Sequence, residues 1–305
     1  MEFLEGLLVA AVRIAVPILL VVIGEIVAER AGVLNIGLEG MILVGAFGAF
    51  AGTWAVGTPW AGLLLAISLA AALAAIFALF VVRLALDPIV TGVAVNVLAL
   101  GVTGVLFRAA TADAGTVFVA TFPALPLGPL AEIPWIGKAL FAQNALGYAA
   151  FAAAVGAALF LRRTSPGLVL RATGENPDAV AAAGADPLRI RLGAVLFGGV
   201  MAGAAGAYLS TGWSNTFVEN MSAGRGFVAL AIVVFARWSP LGAIGGSLLF
   251  GLAMALQVRL QGQVGIPYQF FQMLPYALTL VVLATAARRG AGAPAALARP
   301  WRRSR

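Results

Sequence analysis

LRRTSPGLVLRATGENPDAVAAAGADPLRIR, residues 161–191, is the one substantial polar stretch between the long apolar runs of this chain. Within it, Asn176 is suited to cap a helix, Pro177 to occupy the first helical turn, and Asp178 to complement the positive helix end. Gly184 can end that helix in a left-handed turn. The stretch therefore predicts about two turns of helix, held at a membrane surface as a handle for another protein.

The composition of the 305-residue chain places the rest of it in a membrane. Apolar residues make up 62% of the sequence and charged residues 10%, whereas soluble domains carry about 25% charged residues. The net charge of +7 comes mostly from arginines in residues 161–191 and near the C-terminus, where they act as topology signals. We expect a polytopic membrane protein that interacts with membrane lipids and binds no nucleic acid.

Cysteine and histidine are both absent. Their absence removes thiol nucleophiles, disulfides, the commonest general base and most transition-metal sites. Lys138 is the only lysine, and no glycine-rich loop ending in Lys-Ser or Lys-Thr occurs, so the chain lacks a Walker motif for ATP. We expect no catalytic residues, no metal and no cofactor on this chain, and any ATP hydrolysis on another one.

The apolar runs predict an all-α fold with about nine transmembrane spans, within a range of eight to ten. A full span needs about 20 apolar residues. The runs lie at 6–28, 41–51, 60–82, 89–107, 140–161, 192–210, 227–236, 241–258 and 274–287. The second and the seventh are short and follow glycine-rich polar segments, a pattern that predicts broken or re-entrant helices.

The distribution of arginines predicts the topology. Residues 161–191 and the basic tail are both expected on the cytoplasmic side. Because five runs precede the 161–191 loop, the N-terminus is expected outside. Residues 1–288 are then a transmembrane domain, and residues 289–305 are a basic cytoplasmic tail that we expect to be disordered.

Two halves of the sequence have the same order of elements. GLEGMILVGAF, at residues 37–47, corresponds to AGRGFVALAIVVF, at residues 223–235, so that Glu39-Gly40 matches Arg225-Gly226. With an odd number of spans between the two starts, the copies run in opposite directions. The fold is therefore predicted to contain two inverted repeats, an arrangement that recurs in transporters.

Four side chains near the predicted helix breaks are candidates for a solute pathway: Asn35, Glu39, Asn96 and Arg225. Ionisable groups at membrane depth are costly and point to function. Glu39 and Arg225 could equally lie near the interface and only shape their turns. Asn96, in the middle of a span, is more often a hydrogen bond between helices than a ligand contact.

Three stretches resemble a known family. ERAGVLNIGLEGMILVGAFGAF (29–50), LRATGENPDAVAAAGADPLRIR (170–191) and ENMSAGRGFVALAIVVFARWSPLGA (219–243) are similar to the permeases of ABC importers for branched-chain amino acids, simple sugars and nucleosides. The nucleoside-uptake permeases are the group that the chain most resembles. The similarity extends over nearly the whole membrane core.

The resemblance implies that residues 174–188 couple the chain to a cytoplasmic ABC ATPase. The residues of that segment that it singles out are Gly174, Glu175, Asn176, Pro177, Asp178, Ala182, Gly184 and Asp186. It also implies a second permease subunit, expected to be a non-identical paralogue, and an extracytoplasmic solute-binding lipoprotein that delivers the small-molecule solute. The expected location is the bacterial cell (inner) membrane, with many spans.

The expected function is that of the membrane-spanning subunit of an ATP-driven importer for nucleosides. Simple sugars and branched-chain amino acids are the alternative solutes. A passive channel or ion-coupled carrier is a further alternative, and its transport would persist without an ATPase. A membrane scaffold or enzyme would show no solute-dependent activity in vesicles.

Overall fold

A computed structural model describes residues 2–260, 269–270, 273–288 and 292–302. These residues are mainly helical, and Ala124 and Asn144 form an isolated antiparallel bridge. The α-helices are α1 (Glu2–Arg30), α2 (Leu38–Val56), α3 (Pro59–Ala78), α4 (Pro88–Thr111), α5 (Gly137–Phe141), α6 (Ala145–Arg163), α7 (Ser165–Glu175), α8 (Pro177–Ala182), α9 (Pro187–Ala207), α10 (Arg225–Phe235), α11 (Pro240–Leu260) and α12 (Leu274–Arg288). Leu79–Arg83 and Tyr208–Trp213 are π-helical extensions of α3 and α9, and Gly128–Glu132 is a 3-10 helix.

Seven helices in the described part of the chain are long and apolar enough to span a membrane. They are α1, α2, α4, α6, α11, and α3 and α9 with their π-helical extensions. Two shorter helices, α10 with 11 residues and α12 with 15, occupy the remaining predicted positions. The all-helical polytopic fold is thus confirmed, with seven full-length candidates where nine spans were expected. The opposite orientation of the two repeats stays a prediction.

Several helix boundaries differ from those expected, and two of the differences have clear local reasons. α2 is longer than the predicted run because it continues through Thr53 and ends where Gly57 adopts a left-handed conformation, with φ +81°. α6 begins later than predicted because the side chain of Asn144 caps it, accepting a hydrogen bond from the Gly147 amide at 2.9 Å. Both signals are legible in the sequence.

Helix α1 is the centre of the molecule. It packs against α6, α9, α10 and α11, and most of its length is buried. A helix that is apolar on every face is buried by neighbours on all sides, and residues 14–28 of α1 are buried in this way, including the charged residue Glu25. Helix α1 thus contacts helices from the middle of the chain, α6 and α9, and from its later part, α10 and α11.

Small residues set the distance between the central helices. Gly199 and Gly203, four residues apart on α9, face α3. A Cβ at Gly199 would lie 2.4 Å from the Ala74 Cβ, and one at Gly203 would lie 2.8 Å from the Ala66 carbonyl oxygen. The two helices therefore pack closely, since side chains at these positions would force the backbones apart.

The C-terminal region corrects one expectation. Residues 292–302 do not form a disordered tail but lie against the rest of the chain, with Pro294 and Ala296 buried. The amide of Ala296 donates to the Gly174 carbonyl at 2.8 Å, and that of Ala298 to the Gly32 carbonyl at 3.1 Å. Docking is possible because residues 292–298 carry no charged side chain and are mostly small, so their backbone groups can approach acceptors on the rest of the chain.

Candidate functional site

Helix α2 begins at a polar junction built on α1. Residues 31–37 leave α1 and return toward α2 without a regular helix. The buried carboxylate of Glu25 accepts a hydrogen bond from the Asn35 amide at 2.8 Å, and the side chain of Asn35 accepts one from the Gly37 amide at 3.0 Å. Both side chains are fully buried. They satisfy backbone donors that would otherwise be unpaired inside a membrane protein.

Asn96 of α4 completes the start of α2 from the other side. Its side-chain oxygen accepts from the Gly40 amide at 2.8 Å, and its amide nitrogen donates to the Ile36 carbonyl at 2.9 Å. The Asn96 side chain therefore satisfies a backbone acceptor just before the start of α2 and a backbone donor in its first turn. The contact matches the sequence alternative in which Asn96 forms a hydrogen bond between elements.

Glu39 joins the starts of α2 and α10. Its two carboxylate oxygens accept from the amides of Gly224 and Gly226, each at 2.7 Å. These amides lie at the start of α10, where the helix dipole favours a negative charge. Gly226 is closely approached, since a Cβ there would lie 2.6 Å from the Glu39 nitrogen. The matched positions of the two predicted repeats therefore meet in space.

Arg225 borders a cavity beside this junction. Its guanidinium donates to the carbonyls of Met221 and Ser222 at 2.9 and 3.1 Å, and lies 5.8 Å from the centre of the Trp213 ring. Its Nε atom is buried and has no hydrogen-bond partner among the described residues. A buried donor without a partner is uncommon in folded proteins.

The cavity has a volume of about 540 Å³, within the range of small-molecule sites. Besides Arg225 and Trp213, its lining includes the polar side chains of Gln257 and Thr279 and the flexible Met254. The sequence analysis missed these last three residues. Gln257, a polar residue in the largely apolar helix α11, was the signal that could have identified the first of them.

The structure thus brings the four predicted pathway residues to one region but gives them different contacts. Asn35, Glu39 and Asn96 satisfy backbone groups at the helix starts. Arg225 lines the cavity. At these helix starts the amides of Gly37, Gly40, Gly224 and Gly226 all have side-chain acceptors.

A second tie joins α1 to the end of α10. The buried carboxylate of Glu29 accepts a hydrogen bond from the indole of Trp238, and the Arg30 side chain donates to the Trp238 carbonyl at 3.3 Å. Arg237 and Trp238 both have positive φ, 53° and 54°, so the turn after α10 is strained. One helix, α1, therefore fixes the residues before α2 and those after α10.

The predicted capped helix is present as α8. The side chain of Asn176 accepts from the Ala179 amide at 3.0 Å, Pro177 is the first helical residue, and Gly184 has φ +91°. Asp186 caps α9 by accepting from the amides of Leu188 and Arg189. Ala182 ends α8 and is exposed. The predicted cap at Asn176, the proline in the first turn and the left-handed Gly184 are confirmed, whereas the cap at Asp186 was not predicted.

Three residues of the predicted coupling segment contact other parts of the chain. A Cβ on Gly174 would lie 2.2 Å from the Arg30 carbonyl oxygen, so that α7 rests directly on the end of α1. Glu175 accepts from the Ala295 amide at 3.2 Å, and Asp178 from the Trp301 indole at 2.7 Å. The exposed surface of α8 is therefore flanked by the C-terminal region.

Interrupted helices that meet at a polar junction beside a cavity recur in membrane transporters. The chain matches, over residues 7–283, the family described as branched-chain amino acid transport system / permease component. It belongs to this permease family, and it is a multi-pass membrane protein. No solved structure matches the chain.

Three relatives are similar over most of their length. The chain is 36% identical over 281 residues to the nucleoside ABC transporter permease protein NupC of Lactococcus lactis, covering 88% of each protein. It is 32% identical over 293 residues to the guanosine ABC transporter permease protein NupQ of Bacillus subtilis, covering 92% of each. It is 40% identical over 262 residues to the putative glucose ABC transporter permease protein TsgC13 of Haloferax volcanii, covering 86% of this chain and 79% of the relative.

Proposed function

We propose that this chain is the membrane-spanning subunit of an ATP-driven importer and that its solute is a nucleoside. The observation that supports this solute is the cavity beside Arg225, which combines the Trp213 ring with polar groups that carry no charge, Gln257 and Thr279. A nucleobase stacks on an aromatic face, and its ring nitrogens and carbonyls accept hydrogen bonds. The relatives NupC and NupQ, named for nucleosides and guanosine, support the same solute class.

A simple sugar is the second candidate, and a specific observation favours it. TsgC13, whose printed name is that of a putative glucose permease, is 40% identical to this chain. A sugar ring would also pack on Trp213 and bond to Gln257. The family description names branched-chain amino acids, which are therefore a third class of candidate solute.

The importer is proposed to have its usual separate parts. ATP is hydrolysed by a cytoplasmic ABC ATPase chain that docks on α8, a second permease subunit, expected to be a non-identical paralogue, completes the pathway, and a lipoprotein outside the cell delivers the solute. The arginines that flank α8, among them Arg162, Arg163 and Arg189, support a cytoplasmic position for this end of the molecule by the positive-inside rule. The location is the bacterial inner membrane.

The solute is tested by uptake in cells that lack only this chain. Radiolabelled purine and pyrimidine nucleosides are supplied with ribose, glucose or leucine as unlabelled competitors, and uptake of each of these three compounds in labelled form is measured in parallel. We expect nucleoside uptake to disappear in the deletion strain and, in the parent, to be insensitive to the three competitors. Unchanged nucleoside uptake with lost sugar or leucine uptake would overturn the proposed solute and leave the permease assignment in place.

The cavity is tested with Trp213→Ala and a matched control, Trp60→Ala, on a tryptophan that lies outside the cavity lining and is largely exposed. Stacking of a base on an aromatic ring contributes about 1–3 kcal/mol. The KM for nucleoside is therefore expected to rise by roughly 5- to 150-fold in Trp213→Ala, with little change in the control. Equal KM values in the two variants would show that the solute does not bind at this cavity.

The coupling role of α8 is tested by deleting residues 176–184. We expect the deleted protein to insert into the membrane but not to copurify with the ATPase, and uptake to be abolished. Asn176→Ser is the matched control, because serine retains the helix cap. Normal copurification of the ATPase with the deletion protein would refute the proposal that the ATPase docks on α8.

A further inference from the structure

The C-terminal segment, defined here as residues 292–302, is joined by backbone hydrogen bonds to two other parts of the chain. Ala296 donates to the Gly174 carbonyl at 2.8 Å, at the end of α7, and Ala298 donates to the Gly32 carbonyl at 3.1 Å, just after α1. The Ala296 side chain is 8% exposed. The segment therefore bridges the residues before α8 and the residues after α1.

Side chains of the predicted coupling segment complete this bridge. Glu175 accepts from the Ala295 amide, and Asp178, on the exposed face of α8, accepts from the Trp301 indole. Both acidic residues at the start of α8 are thus in contact with their own chain. These two hydrogen bonds attach the start of the proposed ATPase-docking helix to the C-terminal segment.

Arg191 of α9 joins the end of α1 to the C-terminal segment. Its side chain is 3% exposed and donates to the carbonyls of Ala31, Ala296 and Arg299. A buried guanidinium needs acceptors for its donors, and those named here come from α1's end and from the C-terminal segment. Gly32 makes room for it, since a Cβ there would lie 2.7 Å from the guanidinium nitrogen Nη2.

The end of α1 continues directly to the polar junction. The carbonyl of Arg30 is in contact with Gly174, and five residues further along the chain the Asn35 amide bonds to Glu25. Asn35 in turn accepts from the Gly37 amide at the start of α2. A displacement of α8 that is shared by residues 30–32 would therefore reach the junction through a short, hydrogen-bonded stretch.

We propose that the C-terminal segment is a clamp that holds α8 onto the end of α1, so that force applied to α8 moves residues 31–37 and the start of α2. The inference rests on the proposed function of α8 as the ATPase-docking helix. The clamp makes α7, α8 and the end of α1 one body. Without it, α8 can move while the junction stays still.

Docking of the segment is tested by labelling, which the cysteine-free sequence makes simple. Single cysteines are introduced as Ala296→Cys, at the buried position, and Ala293→Cys, at an exposed position of the same segment. Both full-length proteins are treated with a water-soluble maleimide in the assembled importer. We expect Ala296→Cys to react at least tenfold more slowly. Equal rates would overturn the clamp.

The mechanical role is tested with matched proline variants. Ala296→Pro removes the amide that bonds to Gly174, whereas Ala293→Pro alters an exposed position of the same segment. In Ala296→Pro we expect the ATPase to copurify normally, solute uptake to fall at least tenfold, and ATP hydrolysis to lose its dependence on solute. Ala293→Pro should match the unmodified protein. Normal, solute-dependent transport by Ala296→Pro would refute the clamp.

A truncation that removes residues 293–305 serves as the second variant, with its amount in the membrane measured directly. Loss of uptake with retained ATPase binding supports the clamp, and unchanged uptake refutes it. Failure of the proposed function looks different. If deletion of residues 176–184 leaves ATPase binding normal, α8 is not the docking helix, whatever the proline variants do.

Discussion

Replacing Glu39 with alanine tests the central claim about the junction, that one carboxylate holds the starts of α2 and α10 together. The substitution removes two hydrogen bonds of 2.7 Å, from Gly224 and Gly226. A hydrogen bond to a charged group contributes about 1.5–3 kcal/mol. Because Glu39 is only partly buried, the lower value applies, and the expected loss is about 3 kcal/mol for the pair of bonds.

Thermal unfolding of the purified protein in detergent measures this loss. A change of 1 kcal/mol shifts Tm by about 2–4 °C in domains of 150–250 residues, so Glu39→Ala is expected to lower Tm by about 6 °C in this larger chain. Glu39→Gln keeps one oxygen acceptor and loses the other, and about half of the effect is expected. Uptake should fall in the same order, because α10 loses its fixed position beside the cavity.

Glu132→Ala is the matched control, since Glu132 is exposed and lies in the 3-10 helix, away from the junction. It should leave both Tm and uptake unchanged. If Glu39→Ala shifts Tm no further than Glu132→Ala does, the two hydrogen bonds do not stabilise the junction. The account of how the helix breaks are held would then be wrong.

Three other substitutions test separate contacts by the same unfolding measurement. Gly206→Ala places a Cβ 2.3 Å from the Ile42 carbonyl of α2 and should cost about 1–3 kcal/mol by overpacking. Gly193→Ala is the control, on the same helix with open space around it, and should be neutral or stabilise the protein by about 0.5–1 kcal/mol. Equal effects of Gly206→Ala and Gly193→Ala would contradict the packing of α9 on α2. Asn96→Leu should lose about 1–3 kcal/mol and speed hydrogen exchange at the Gly40 amide, and unchanged exchange would argue against its capping role. Trp238→Phe leaves the buried carboxylate of Glu29 without its indole donor and should lower the free energy of unfolding by about 1.5–3 kcal/mol. The same substitution at an exposed tryptophan is the control, and its effect must be smaller.

Local signals made much of the fold predictable. The cap at Asn176 and the left-handed Gly184 depend on residues within a few positions of each other, so the sequence was sufficient to predict α8. The membrane helices were found because a span needs a long apolar run. The short run 227–236 agreed closely with α10, Arg225–Phe235.

Contacts between distant residues were not predictable in the same way. The sequence selected Asn35, Glu39, Asn96 and Arg225 as polar groups at helix breaks, but it could not distinguish a cap from a solute contact. That distinction depends on which amide lies opposite each side chain. For Glu39 the partner amides are 185 and 187 residues away, and no local pattern specifies such a pairing.

The sequence by itself therefore determined the class of the protein, its membrane helices and the presence of a capped helix in the arginine-rich loop. These follow from composition, run length and capping, all of which act over one element or less. Only the tertiary structure decided that Glu39 caps α10, that Gln257 faces the cavity and that the C-terminal segment docks beside α8. The physical reason is that a buried polar group takes the partner that folding brings within hydrogen-bond distance, and that partner lies far away along the chain.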